Sequence, residues 1–581
     1  MLQETPSFYS GSLNGTSSPL SPAFIESEVQ VYLNDFQDQP YCVFDKDWLL
    51  ENACLLPSEV VFPLVALTRR LSVNSPGIPG RKISTGKYCA ERAWRILSTQ
   101  YRDGKTGLSF LQGTFLVAQL DFAGGNAHRG CNSVALGLRL IQSAGLNQGK
   151  NLPLLSKSEG EATRRIIWAY FMLDRAYNAS RNYSLCLSDN HFILSYPSSG
   201  GFSSHGPLYE KSIKQGQKDD QNILACLLKL YLLWGKATEW VFEPMVSSTL
   251  PPWQTGSALS ILESEWMDFE TEFVDTHRYV NVDFRRRARE DPKSRPYLST
   301  WLCVQFLFHG IQCLLHHPFV TMIKLREMSG NISATFLQKS FETSLLHSRW
   351  IARFIREMSE VDLRLCDPFF GYLAAIAATI QVEHTGNKNP QVAILVNNEY
   401  HVLLGFITEL STQWENMGVL VNRVNKLASR RQNHGSLFYN QDRYSGALST
   451  IPTPSNLPRM STEDEALMWD ILDLTSSSSL PVAAGAADVV SGYGEEQQSK
   501  TITKINIPAP PIQAEPKQIV RDPKSNKPSI AETIIGGLPQ LVEETSTPQW
   551  PFARSGNMGP SAGMPDIPDW VLFGDFITDH P

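Results

Sequence analysis

Three side chains of this 581-residue chain fall at metal-ligand spacing. His309, Cys313 and His316 stand at i, i+4 and i+7, so on a helix they share one face and could chelate a metal ion. A zinc site wants a fourth ligand and oriented partners behind the first ones, and the sequence shows neither. Trp301, Leu302, Phe306, Phe308, Leu314 and Leu315 surround the three, so the default reading is a buried apolar helix with sparse polar residues. The nine cysteines, at 42, 54, 89, 131, 186, 226, 303, 313 and 366, are never closer than ten residues. They read as isolated thiols of a reducing compartment, and no cofactor is expected.

Catalytic chemistry is not written in the spacing. H-E-x-x-H and G-x-G-x-x-G do not occur. Gly80 to Tyr88 comes nearest to a phosphate loop, but Tyr88 stands where a magnesium-binding hydroxyl belongs. Gly124, Gly125 and Gly130, around Asn126 and His128, read as a loop between helices, and no carboxylate or histidine pair is spaced for acid–base work. An enzyme is not expected. Direct DNA binding is disfavoured too, because a formal charge of −7 lacks the basic surplus that phosphate contacts require. The one concentrated basic run, Arg285, Arg286, Arg287 and Arg289, reads equally as a nuclear import signal or as a solvated helix edge beside Glu290 and Asp291.

The elements that would position such residues are helical. Val134, Leu138 and Ile141 form one helix face that Gly145 can end in a left-handed cap. Similar stripes occur at Leu224 to Leu232, Leu345 to Ile355, Phe369 to Ile380 and Val402 to Leu410, and sustained period-two alternation is missing. The fold class expected is all-α. Ser158 and Glu161 have the S-x-x-E spacing of a helix start, followed by a nearly all-apolar run through Trp168 to Leu173 that Asp174 and Arg175 close. No stretch approaches the roughly eighteen apolar residues of a membrane span, and no membrane partner is expected.

Composition divides the chain. Residues 1–25 are rich in Ser, Gly and Pro and are expected to be disordered. Residues 26–440 carry the helical stripes. Residues 441–581 turn Pro- and Ser-rich, a composition that cannot bury enough apolar surface to offset ordering entropy. Two acidic-aromatic islands interrupt this tail, at 461–474 and 565–581. In the first, Leu467, Met468, Ile471 and Leu472 would share a helix face with Trp469 at its edge; in the second, Trp570, Phe573 and Ile577 line up between aspartates. Such segments dock a helix face into a partner's groove, as activation domains do, and this reading is preferred to packing back onto the helical domain.

One ordered set of residues resembles the regulatory domain of fungal zinc-cluster transcription factors, the middle homology region. It comprises Ala135, Leu136, Gly137 and Leu138, then Glu161, Arg164, Arg165, Trp168, Asp174 and Arg175, then Ser188, Asp189 and Pro197. Val31 to Leu50 looks like the family's opening segment, and Leu315 to Phe319 sits where the family has a long helix end. Where the family commonly has a Gly-Arg-Pro turn, this chain has Asn182, Tyr183 and Ser184. The six closely spaced cysteines of the family's binuclear zinc cluster do not occur. The resemblance implies a nuclear transcription regulator, of the kind that controls metabolic or specialised-metabolite gene clusters. DNA would be reached through a homo- or heterodimer partner or an upstream exon, and coactivators or the transcription machinery through the acidic tail. A scaffold or co-regulator that never engages DNA is the alternative.

Overall fold

The computed structural model describes residues 20–71, 79–149, 151–177, 180–181, 184–188, 194–197, 222–243, 250–386, 390–434 and 452–477. All of these lie in the first of two units, which ends at Val482. Among the described residues every regular element is a helix.

The chain opens with α1 (Pro22–Asp35), α2 (Lys46–Glu51), α3 (Ser58–Leu71), α4 (Pro79–Arg102), α5 (Leu108–Ala123), α6 (Ala127–Ser143) and α7 (Lys157–Tyr177). The middle holds α8 (Ile223–Phe242), α9 (Ala258–Glu272), α10 (Tyr279–Val282), α11 (Phe284–Glu290), α12 (Arg295–Leu315) and α13 (Pro318–Arg326). Then come α14 (Ala334–Glu360), α15 (Pro368–His384), α16 (Pro390–Ser411), α17 (Glu415–His434) and α18 (Thr462–Leu472). The sequence Gly80 to Tyr88 thus lies in helix, not in a loop.

Helices that are apolar all round have to be surrounded, and two are. In α15 every residue from Pro368 to His384 is buried, and in α12 nearly all are. Around α12 pack α8, α14 and α15, while α16 and α17 close over α15. In the N-terminal part α3 packs on α4 and α5, α6 bridges α5 and α7, and α7 reaches α8. One apolar core runs through the whole assembly, from Ile25 to Leu474. The segment Pro292–Arg326 is long and apolar enough to cross a membrane, contrary to the sequence reading, but 94% of its most apolar window is buried in protein. It is a core helix interrupted at Pro318, where a fixed φ and missing N–H suit a helix start.

Local chemistry sets the ends. Pro368 follows Asp367, whose carboxylate accepts from the Phe369 N–H at 2.8 Å. After α6 the backbone turns at Gly145 with φ +66°, the left-handed conformation expected there. Gly137 is demanded by proximity: a Cβ built on it would stand 2.2 Å from the Tyr170 ring, so only glycine lets α6 approach α7.

Both expected domain boundaries move outward. Folded structure starts by Pro22 instead of residue 26, and residues 452–477 belong to the helical assembly, well past 440. The expected first-tail island is therefore corrected: it is a helix on the domain, for reasons given below.

Candidate functional site

Helix α7 starts two residues earlier than the Ser158–Glu161 spacing suggests. Two S-x-x-E patterns overlap here, and the upstream one is used: the Glu159 N–H donates to Ser156 Oγ at 3.3 Å, and the Ser156 N–H and hydroxyl donate to Glu159 Oε2 at 3.3 and 2.7 Å. The turn Leu152–Leu154, capped by Leu155, leads directly into Ser156, which fixes the entry. Glu161 is freed for side-chain work and pairs with both Arg164 and Arg165.

From there α7 acts as a spine that holds three non-helical segments. Arg165, buried, donates from Nη1 to Cys42 Sγ at 2.8 Å, joining α7 to the loop before α2. Gln37 supports the same loop by donating to the Phe44 carbonyl at 2.8 Å. Burial pushes the Asp38 carboxyl up to about 6 and the Cys42 thiol well above its usual range, so the neutral thiol is the resident species. Trp168 donates from Nε1 to the Ser195 carbonyl at 3.0 Å and lies against the Tyr196 ring. Asp174 and Arg175, both fully buried, form an ion pair. Asp174 also accepts from the Cys186 N–H at 3.1 Å, and Arg175 donates to the Leu187 carbonyl at 2.8 Å. The guanidinium lies 4.1 Å over the Phe171 ring, which removes the last exposed face of the charge. A buried pair needs further hydrogen bonds to offset its desolvation, and the returning loop supplies two of them.

The structure thus brings together Gly137, Glu161, Arg164, Arg165, Trp168, Asp174 and Arg175 on or against one helix. Leu138 is buried beside them, and Ala135 and Leu136 are half-buried. Pro197 is buried and Ser188 exposed; Asp189, Asn182 and Tyr183 lie outside the described residues. Sequence reasoning missed Cys42, because its link to Arg165 spans 123 residues.

A second constellation lies at the other end of the domain. The 461–474 island was expected to stay unfolded and offer Leu467, Trp469, Ile471 and Leu472 to another protein. Instead Met468, Ile471 and Leu472 are fully buried in the chain's own core, and Leu467 is buried too. Trp469 meets the rings of Phe319 and Phe242 edge-on and tilted, at 5.0 and 6.1 Å. The acidic residues explain the docking. Glu463 pairs with Arg430 at 3.0 Å, Asp464 with Arg430 and Arg431, Glu465 with Arg326 at 3.2 Å, and Asp470 faces Arg423 at 3.9 Å. Arg431, itself buried, also holds Glu383 of α15 at 2.7 Å. Asp473 accepts from the Arg181 N–H at 3.1 Å, and the Tyr372 hydroxyl donates to the Leu472 carbonyl. Trp570 and Phe573, and the whole 565–581 island, lie outside the described residues.

The remaining candidates resolve into ordinary structure. The basic run forms α11: Arg285 pairs with Glu360 and Glu357, Arg286 with Asp283 and Glu290, Arg287 covers the Tyr297 ring, and Arg289 is exposed. The His309, Cys313 and His316 face does not converge on one point. His309 Nδ1 lies 2.7 Å from His347 Nδ1, whereas His316 lies 3.1 Å from both Ser340 Oγ and a Glu263 oxygen. Burial drives His309 well below its usual range and His347 to about 3, so both rings are neutral. Among the described residues no group of three His, Cys, Asp or Glu side chains is arranged to hold a metal ion.

With this geometry in view, the comparisons with known proteins are specific. Residues 81–270, which contain α5 to α8, match the family model described as the fungal specific transcription factor domain. Over about a third of its length the chain is therefore similar to the fungal specific transcription factor domain. An uncharacterized transcriptional regulatory protein of Schizosaccharomyces pombe is 20% identical over 328 residues, covering 50% of this chain and 39% of the relative. The Zn(2)-C6 fungal-type transcription factor FTF1c of Fusarium oxysporum f. sp. lycopersici is 21% identical over 437 residues, 69% of this chain and 45% of that protein. The chain therefore spans less than half the length of these curated relatives. No solved structure matches. The positions on α7 and its returning loop fall inside the matched fungal domain, whereas α11 and α18 fall outside it.

Proposed function

We propose that the chain is a nuclear transcription regulator of the fungal zinc-cluster type, acting in control of a metabolic or specialised-metabolite gene cluster. The observation that supports this most directly is the family match over residues 81–270, which contain the α7 spine and the loop segments it holds at 186–187 and 195–196. DNA is reached through a partner chain or through a segment outside these 581 residues, in keeping with the net charge of −7.

In this reading α18 is the moving part. Docked, its apolar face is hidden in the domain; released, Leu467, Trp469, Ile471 and Leu472 form the helix face that a coactivator groove would take. Release needs a partner or effector that binds the open state better than the closed one. The 565–581 island would act as a second contact for the transcription machinery, and the exposed part of α11 as an import signal.

The experiment tethers the full chain to a heterologous DNA-binding domain at a reporter. Wild type is expected to be weakly active and Arg430→Glu/Arg326→Glu, which repels α18, several-fold more active. Equal, background activity of both would overturn the regulator reading and leave a scaffold or co-regulator as the better account.

A further inference from the structure

Beside the capped start of α7 the protein has a cleft of about 1170 Å³. Its size lies just above the roughly 300–1,000 Å³ usual for small-molecule sites, so a small molecule has room there. Phe44 and Trp48 line one side of it, and Leu152 and Leu155 line the entry to α7. The cleft also touches Gln112 of α5, which is only 3% exposed and whose carboxamide has no hydrogen-bond partner among the described residues. A carboxamide that reaches the cleft without a protein partner offers its donors and acceptor to whatever fills that space.

The charges around the cleft decide the kind of molecule. Glu161 is neutralised by Arg164 and Arg165. Glu159 is engaged with Ser156, and Asp45 accepts from the Trp48 N–H at 3.0 Å. A cationic ligand would have to break one of these arrangements, and an anionic one would find only Lys157, exposed to solvent where an ion pair is worth little, while an uncharged one meets two aromatic side chains, aliphatic groups and one idle amide.

We propose that this cleft is a binding site for a neutral, mostly apolar small molecule carrying a carbonyl or hydroxyl group, held at that group by the Gln112 carboxamide. The site goes beyond the transcriptional reading and does not depend on it, because it concerns binding alone.

The full chain is titrated with Nile red, a neutral planar dye with a ring carbonyl, and separately with pyrene, which has no hydrogen-bonding group; emission is the readout. Saturable one-to-one binding of Nile red is expected. Gln112→Leu should weaken Nile red about tenfold, the worth of one hydrogen bond, and change pyrene less than twofold. Ala162→Trp, which fills the cleft from α7, should abolish both at unchanged helical circular dichroism. If that variant loses helix, Leu155→Trp, outside any helix, takes its place. The proposal is overturned by absence of saturable Nile red binding, by wild-type affinity in the filled variant, or by equal weakening of the two dyes in Gln112→Leu. A silent reporter with intact dye binding would count against the proposed function and leave this site standing.

Discussion

The α7 spine and the α18 helix are built from the same residue types, aromatics and acid–arginine pairs, yet they use them in opposite ways. In α7 the pair Asp174–Arg175 is sealed inside the protein and spends its free hydrogen-bonding capacity on the backbone of residues 186 and 187. In α18 the apolar face is sealed and most of the acids reach sideways to arginines on α13 and α17. The first arrangement is an internal brace that cannot be opened without unfolding. The second is a docked surface, fastened by ion pairs of which several are partly exposed, and such pairs are individually weak. Acidic-aromatic composition alone does not say whether a segment's groove belongs to a partner or to its own chain.

The sharpest way to break the comparison is Arg175→Ala. It leaves the Asp174 carboxylate buried and uncompensated, and is expected to cost about 3–5 kcal/mol, or prevent folding, in denaturant titrations. Met468→Ala, at the buried centre of α18, should cost about 2–5 kcal/mol of local stability. Hydrogen exchange should locate that loss in residues 462–472 while α7 stays protected; equal loss in both helices would show that α18 is no separate unit.

A pH dependence comes next. His317 is buried and held near 3, with Nε2 2.8 Å from Thr379 Oγ1 and Nδ1 accepting from the Phe319 N–H. Its folded value lies below the unfolded one, so as pH falls the unfolded chain takes the proton first. The stabilising contribution is complete above pH 6.5 and is lost progressively towards pH 3. Between pH 6.5 and 5 the loss is about 2 kcal/mol. His309, His347 and His384 are depressed by burial as well, so His317→Asn should remove only its own share of the acid slope; because Phe319 packs on Trp469, that share should be accompanied by lower acid sensitivity of α18. The smallest effect separates the two candidate caps: Ser156→Ala should cost about 1 kcal/mol and Ser158→Ala less than about 0.5 kcal/mol, measured by thermal unfolding.

Much of the architecture was legible from periodicity. The all-helical class, the α6 face with its Gly145 turn, and the interior character of α12 and α15 all follow from where apolar residues recur. The motif on α7 was legible as an ordered set but not as a set of loop clamps, because Ser195, Cys186 and Leu187 carry their message in backbone atoms that a sequence does not display. The α7 cap was misplaced by two residues because Ser156–Glu159 and Ser158–Glu161 satisfy the same rule, and only the preceding turn decides between them. The docking of α18 was misjudged for a related reason: its complements, Arg326, Arg430 and Arg431, lie far from it in sequence and look like ordinary surface cations. Gln112 gave no signal, since a lone glutamine in an apolar helix differs from its neighbours only in what it fails to touch.

The way α18 is seated has a practical bearing on where the polypeptide can be shortened. A fragment ending at residue 440, the limit that composition suggests, would strip the cover from Phe319 and Tyr372, and would deprive Arg430 of its acidic counterparts. Such a truncated protein is expected to be sticky and poorly soluble, whereas one retaining residues up to 477 keeps its own lid.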